Sequence, residues 1–476
     1  MSTLRNIVRK GFYADSVALM RVARELGAAP GVLQASLMIG TPSNKALLAD
    51  SRLLAPEGRA ARADDLVIAV RARSPPQAQA AVDRAGELLA ARPDAPRASG
   101  GSAFPTVGAA AQSLSGANLA LISVPGAFAA AEARRALERG MHVLLFSDNV
   151  PVAEEIALKK LARSRGLLMM GPDCGTALIG GTPLAFANAV PRGDVGLVSA
   201  SGTGLQEVST LLARRGEGVS HGIGVGGRDL SREVGGLMTL AALDALEADP
   251  ATKRIIVISK PPAPAVTKKI VARAKRSRKP VVLCLLGAKG GKGIVRTLEE
   301  AAGFSSREVE ALPARGAIRG LFCGGTLCAE AQIVLMDHGL KVSSNAAVPG
   351  ATPKGARHVL LDLGDDDYTR GRPHPMIEPA LRNDLLEHAL ADPAVGVILL
   401  DVVIGYGAHA DPAGLIAAVL KKRRNPRKLV VASVTGTDAD PQGYGRQVRE
   451  LEAAGVIVAP SNAAAARIAA RAVVRP

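Results

Sequence analysis

VGLVSASGTGLQE (Val195–Glu207) and GLFCGGTLCAE (Gly320–Glu330) share one pattern. Each is an apolar run, then a Gly-Thr turn, then a helix-like stretch with Glu four residues after the Thr. Aligned, Ser201, Gly202, Thr203 and Gly204 meet Gly324, Gly325, Thr326 and Leu327, and Glu207 meets Glu330. A glycine turn between strand and helix exposes the first N–H groups of the helix. Those groups and the macrodipole favour an anion. Two such turns suggest phosphate or carboxylate chemistry handled from two sides. The competing reading is that tight βα turns belong to any α/β protein.

Outward from these turns, apolar β-like runs alternate with Ala/Leu/Arg helices almost throughout, the pattern of doubly wound α/β domains. The expected class is therefore α/β and multidomain. At 476 residues, roughly three or four domains are expected. Residues 1–105 read as a small N-terminal α+β domain with a split β-α-β arrangement, ending in the linker Ala91–Pro105. Residues 106–191 read as Rossmann-like, with strands at Asn118–Val124, His142–Ser147 and Leu167–Gly171. Residues 192–311 and 316–476 each open with a Gly-Thr turn and read as related flavodoxin-like domains.

The composition narrows the function classes. Aromatics make up 2% of the chain and Trp is absent, which argues against base-stacking platforms. The net charge of +16 would suit anionic substrates or nucleic acid. The basic residues are scattered, however, and the clusters Lys275–Lys279 and Lys421–Lys428 read as solvated helix ends and loops. Cys174, Cys284, Cys323 and Cys328 form no CxxC, and no His spacing makes a zinc site, so no metal is assigned. Without a leader-like or membrane-length apolar run, a cytoplasmic setting is expected.

Candidate site residues follow from strand ends. Val124 and Pro125, then Ser147, Asp148 and Asn149, end strands of the second domain; the polar trio would cap a helix or contact a ligand. Asp173 and Cys174 lie in the turn MGPDCGT, where Cys174 is the one Cys in an exposed polar turn. Against a nucleophile, no His is near it in sequence. Arg228, in GIGVGGRDLSREVGG, would form a bidentate pair with phosphate or carboxylate, or pair with nearby acids such as Asp229. DLGDDDYTRGRPHPMIEP (Asp362–Pro379) is the densest polar segment and reads as a loop. Its three adjacent acids would hold Mg²⁺ or, the favoured reading, form a solvated turn. Arg370, Arg372 and His374 would grip an anionic substrate or partner, with Asp401, Gly405, His409 and Asp411 extending the cluster. GAKGGKG (Gly287–Gly293) lacks P-loop spacing.

Read together, residues Asn118 to about Gly287 resemble the α subunit of succinyl-CoA synthetase. The fourth domain resembles the carboxyl-terminal domain of that enzyme's β subunit. The whole chain is similar to the FdrA family through KGFYADSVALM, IGTPSNKALL, GPDCGTALIGGTPLAFANAV, GGRDLSREVGG, GGTLCAEA and LLDVVIGYGAHADP. The synthetase resemblance implies a Rossmann-like CoA-binding-type domain, with Val124, Pro125 and Ser147–Asn149 in its pocket, and two flavodoxin-like ligase-type domains. It also implies phosphate at Ser201–Gly204 and Gly324–Leu327, where the synthetase holds a phosphorylated His.

The sequence departs from that pattern at several points. GAKGGKG carries no His where the synthetase has its active-site His. Lys260 and Pro261 stand where it has a Glu that steadies the His. The glycine loop for CoA is absent, IGTPSNK (Ile39–Lys45) being the nearest segment, and no ATP-grasp domain is recognisable. CoA is therefore a doubtful ligand. The FdrA resemblance implies companion subunits and oxamate carbamoyltransfer in allantoin breakdown, with phosphate or carbamoyl phosphate as substrate. Arg228 or Arg372 would then bind substrate carboxylate. An acyl-CoA ligase is the alternative, and a non-catalytic scaffold the third reading.

Overall fold

The computed structural model describes residues 2–12, 14, 16–27, 29–90, 104, 106–288, 293–305, 313–353, 355–369, 373–423 and 427–474. The chain divides into two units, Met1–Ala103 with Asp366–Pro373, and Phe104–Asp365 with His374–Pro476.

In the first unit, β1 (Thr3–Arg9), α1 (Ser16–Gly27) and β2 (Val32–Ile39) precede α2 (Pro42–Asp50), α3 (Pro56–Ala60), β3 (Leu66–Ala72) and α4 (Pro75–Ala90). The sheet order is β1-β3-β2, both outer strands antiparallel to β3. This is the expected split β-α-β arrangement. The two-residue period of β3 serves two cores. Ile68 and Val70 join Leu19, Leu26 and Ala85, while Val67 and Ala69 join Leu48 and Leu53. IGTPSNK opens α2: Thr41 Oγ1 accepts from Asn44 N at 3.3 Å and Pro42 starts the helix. That segment belongs to the first unit, and the Rossmann-like strands belong to the second.

The second unit begins with α5 (Val107–Ser113), β4 (Leu119–Ile122), α6 (Gly126–Glu138), β5 (His142–Leu145), α7 (Val152–Ser164) and β6 (Met169–Met170). Its strands form a parallel sheet β4-β5-β6. The hairpin β7 (Thr176–Ile179) and β8 (Thr182–Ala185), read from sequence as part of residues 106–191, pairs instead with the following sheet. That sheet uses β9 (Arg192–Ser199), α8 (Gly202–Arg214), β10 (Val219–Gly224), α9 (Leu237–Ala248), β11 (Arg254–Ser259), α10 (Pro264–Lys275), β12 (Val281–Leu285), β13 (Ile294–Val295) and α11 (Leu298–Ala301). Its order among the described residues is β13-β12-β11-β9-β10-β7-β8.

The last sheet uses β14 (Ala317–Phe322), α12 (Gly325–Asp337), β15 (Val342–Ser344) and β16 (His358–Asp362). It continues after α13 (Asp366–Thr369), which is grouped with the first unit. There follow α14 (Ala380–Ala391), β17 (Val395–Val403), α15 (Pro412–Lys422), β18 (Leu429–Thr435), α16 (Tyr444–Ala453), β19 (Ile457–Ala459) and α17 (Asn462–Val474). All pairs are parallel, in the order β15-β16-β14-β17-β18-β19. The expected loop at Asp362–Pro379 thus contains a short helix, whose first-turn acids Asp366 and Asp367 suit its N-terminus.

Leaving aside the hairpin and the edge strand β15, the two sheets have the same winding. The first strand, β9 or β14, lies between the next strand on one side and the third on the other. That is the switch point where open α/β sheets bind ligands, and each Gly-Thr turn sits there. One apolar core runs across both sheets, through Leu205, Val208 and Leu212 of α8, Leu327 and Leu335 of α12, and Ala465, Ile468 and Ala469 of α17.

Glycines let strands start close together in both sheets. A Cβ on Gly193 would lie 2.5 Å from Gly218 Cα, and one on Gly396 would lie 2.2 Å from the Arg315 carbonyl oxygen. Neither obstacle is a side chain that can turn away. Gly193→Ala is therefore expected to destabilise the fold by about 3 kcal/mol, measured as a lowered urea midpoint against wild type.

Candidate functional site

The site is built from two helix starts. Ser201 is the N-cap of α8, and its Oγ accepts from Gly204 N at 2.9 Å. Gly324 is the N-cap of α12 and has no side chain to cap with. Asp401 on the neighbouring strand β17 instead fixes the backbone just before the helix, its two oxygens accepting from Cys323 N and Gly324 N, each at 2.7 Å. Burial pushes the Asp401 carboxyl up to about 6 although both N–H bonds favour its charged form.

The two turns touch. Ser201 Oγ and Thr326 Oγ1 are 2.5 Å apart, and a Cβ on Gly324 would stand 3.0 Å from Thr203 Cβ. Ser201, Gly202, Thr203 and Gly204 are thus brought together with Gly324, Gly325, Thr326 and Leu327. The first N–H groups of a helix have no intrahelical partner, so two sets of such donors lie next to each other.

Charged groups surround the second turn. Lys260 follows β11, and its Nζ is 3.8 Å from Asp362 Oδ2 at the end of β16. A Cβ on Gly325 would meet both groups, at 2.5 Å and 2.4 Å. Asp362 Oδ1 accepts from Gly364 N at 3.0 Å. Burial raises the Asp362 carboxyl, and Lys260 opposes that rise. His374 stands beside Gly364, and its Nδ1 accepts from Met376 N at 3.2 Å. Burial holds its ring down at about 4, so at neutral pH it carries no charge for gripping an anion. Arg382 of α14 is buried and donates from Nη1 to Cys323 Sγ and to the Asp401 carbonyl, both at 3.4 Å. Sequence reading passed over Lys260 as a ligand group and missed Arg382. The available signal for Lys260 was its place straight after the apolar strand RIIVIS.

Other expected site residues lie elsewhere, and Arg372, with Arg370, falls outside the described residues. The Arg228 guanidinium pairs with Glu155 at 3.0 Å and donates to the Val150 carbonyl at 2.7 Å. Asp229 is not its partner. Buried Lys159 bridges Asp229 and Glu155, at 2.8 Å and 2.7 Å. Asp229 also accepts from Met238 N and Thr239 N at the start of α9. The GGRD segment therefore ties α7 to the seven-stranded sheet.

Ser147 Oγ donates to the Val124 carbonyl at 2.5 Å, joining the ends of β4 and β5. The α7 cap is Pro151, without a side-chain bond, so the capping role expected of Ser147, Asp148 and Asn149 is not theirs. The backbone of Asp148 and Asn149 lies against Gly126, just after Pro125. Asp173 N donates to the Ser147 carbonyl at 3.0 Å, so these residues do form one cluster.

Cys174 corrects its own expectation. It is 3% exposed, and its thiol faces the Thr176 carbonyl at 3.6 Å. Burial pushes the thiol up to about 12, far from a reactive thiolate. The cause is the hairpin: β7 pairs with β10 and carries the turn inward. Among the described residues no group of three His, Cys, Asp or Glu is arranged for a metal. Among those residues, too, no helix is long and apolar enough to cross a membrane.

Behind the helix starts lies a buried acid pair, the aligned Glu207 and Glu330. Glu207 accepts from Asn462 N at 3.1 Å and from the Thr435 hydroxyl. Glu330 accepts from Leu298 N at 2.6 Å and Asn462 Nδ2 at 2.7 Å. Burial raises both carboxyls, Glu330 to about 8.

Glu330 binds its proton more tightly folded than unfolded. Its contribution to stability is therefore complete below the unfolded value of 4.5, erodes as pH rises above it, and is gone past about 8. Urea midpoints are expected to fall over that window, with Glu330→Gln flattening the curve. All four cysteines are buried. Ellman's reagent at neutral pH should leave them unlabelled in the native chain and label them in urea.

Comparison with known proteins follows the same divisions. Residues 321–472 match the family described as CoA-ligase, residues 192–287 the CoA binding domain, and residues 1–104 the AllF, heavy metal-associated domain. The CoA-binding match thus falls on the seven-stranded sheet, not on residues 106–191. The Escherichia coli protein YahF is 41% identical over 499 residues, covering 97% of this chain and 96% of its own. Succinate–CoA ligase [ADP-forming] subunit alpha-2 of Trichomonas vaginalis is 30% identical over 185 residues, or 37% of this chain and 59% of that protein. Among solved structures, the dinucleotide-forming acetyl-coenzyme A synthetase 1 of Ca. Korarchaeum cryptofilum aligns at 17% identity with a TM-score of 0.33. It covers 78% of this chain and 85% of its own. The identity with YahF along almost the whole chain, together with the two ligase-type matches, shows that this chain belongs to the YahF family of succinyl-CoA-synthetase-like proteins.

Proposed function

We propose that the chain is a subunit of a cytoplasmic group-transfer enzyme that binds a phosphoryl group between the first turns of α8 and α12. The observation that carries this reading is the 2.5 Å contact between Ser201 Oγ and Thr326 Oγ1, which sets two helix starts side by side. Donors fixed in advance around a developing anion need no reorganisation when charge builds.

The group handled is, in this proposal, carbamoyl phosphate, in the manner the FdrA resemblance implies. Phosphate oxygen attacks the terminal carbamoyl carbon of oxalurate. The bond from that carbon to the oxamyl nitrogen breaks, and the nitrogen leaves as the amide of oxamate with a proton. No phosphohistidine is needed, which agrees with a GAKGGKG segment without His. Companion subunits complete the enzyme. The acyl-CoA ligase reading has its own support in the CoA-binding and CoA-ligase matches, and it requires CoA to bind.

The assembled complex, given carbamoyl phosphate and oxamate, is expected to release phosphate. The double variant Ser201→Ala, Thr326→Val should lower that rate by at least about tenfold. If the complex releases no phosphate but consumes a carboxylic acid only with CoA and a nucleotide, the ligase reading replaces this one. If the intact double variant is fully active, the two turns are scaffold.

A further inference from the structure

The strongest unassigned feature is the charge arrangement over the α12 start. Lys260 comes from the other sheet, at the carboxyl end of β11, beside the switch point of β9. Its ammonium lies directly over Gly325, the first residue of α12. A helix start carries partial positive charge, so an ammonium there is disfavoured unless an anion joins it. Asp362 is the nearest anion, yet 3.8 Å is beyond hydrogen-bond reach. The Lys260 side chain is 48% exposed, so it can turn, whereas the Asp362 side chain is 4% exposed. Glycine at 325 keeps the space between helix start, ammonium and carboxylate open. Any Cβ there would strike both charged groups.

A second observation points to an anion at the same turn. Arg382 is 1% exposed, and its Nη1 reaches Cys323 and Asp401 just before the turn. Its Nε and Nη2 have no hydrogen-bond partner among the described residues. A buried guanidinium with two unused donors is costly, and its charge acts on the Asp401 carboxyl that holds the backbone just before the Gly324–Gly325 turn. Two cationic side chains thus lie near the turn, half-exposed Lys260 beside Gly325 and buried Arg382 beside Cys323.

We infer that Lys260 is the cation that meets a dianionic phosphoryl group at the α8–α12 turns, exchanging Asp362 for a phosphoryl oxygen, and that Asp362 tunes affinity by competing for it. This rests on the phosphoryl-binding reading above and adds a residue to it. The ligand class is inorganic phosphate or the phosphoryl end of an acyl phosphate. The competition has a stated direction. Removing the ammonium weakens binding, and removing the charge of Asp362 strengthens it, because a repulsive carboxylate is lost and the ammonium is released.

The test is calorimetric titration of the full chain with inorganic phosphate. Lys260→Met should bind about tenfold more weakly or worse, Lys260→Arg should keep most of the affinity, and Asp362→Asn should bind several-fold tighter. Thermal melting confirms that each variant is folded; should buried Asp362→Asn fail to fold, the two Lys260 variants decide alone. If Lys260→Met, or a folded Asp362→Asn, binds as wild type while Ser201→Ala, Thr326→Val loses binding, the role of Lys260 is overturned and the phosphoryl site stands. If wild type binds no phosphate, the phosphoryl-binding reading fails, and Lys260 with it.

Discussion

Two helix starts packed side by side repel, since each carries about half a positive charge at its end. Everything around α8 and α12 answers that constraint. Glu207 and Glu330 are each the sixth residue of their helix, and Asn462 joins them from behind, one through its backbone N–H and the other through its side-chain amide. Each Glu also accepts the N–H of the first residue of another helix: Asn462 of α17 for Glu207, Leu298 of α11 for Glu330. Ser201 and Thr326 then join the two starts from the front. The two sheets that carry α8 and α12 are therefore registered at their turns by polar contacts and along their helices by apolar ones.

Two buried carboxyls so close to each other cannot both ionise at low cost. The neutral acid at Glu330 removes most of that conflict, and the accepted N–H bonds serve both protonation states. Burying α17 beside these helices requires small residues. Its NAAAARIAARAVV sequence supplies them, with Ala463, Ala465, Ala469 and Ala472 fully buried.

Much of this was legible in the sequence. Apolar runs followed by glycine turns identify the strands and switch points, because a buried parallel strand needs a continuous apolar run, as in β17. The equivalence of Glu207 and Glu330 was visible from spacing alone; their meeting at Asn462 was not. The hairpin β7–β8 was not legible, because sequential order carries no information on which sheet edge a short hairpin joins. Cys174 was read as exposed for the same reason: its neighbours are polar, but the hairpin folds it against β10, where a Cβ on Gly224 would lie 2.5 Å from its sulfur. Arg228 was legible as a paired residue, but its partner Glu155 lies on α7, remote in sequence. Lys260 was seen only as a departure from the synthetase pattern, since its neighbour Gly325 belongs to the other sheet.

The chemistry of the site turns on which way its hydrogens point. In the Ser201–Thr326 contact one hydroxyl donates and the other accepts, so one of the two protons is used between them. Over a phosphoryl group both hydroxyls donate, and Ser201 Oγ still accepts from Gly204 N, as an N-cap does. Opening the hydroxyl pair therefore exchanges one neutral hydrogen bond for two charge-assisted ones, which are each about twice as strong. A carboxylate also accepts two donors, but its single charge gives weaker attraction to two helix starts and a lysine than a dianion does. Uncharged His374 adds no cation to that balance. In the proposed site, discrimination for a dianion would rest on the two turns and Lys260, and Asp362 would sharpen it by penalising any anion too weakly charged to displace it.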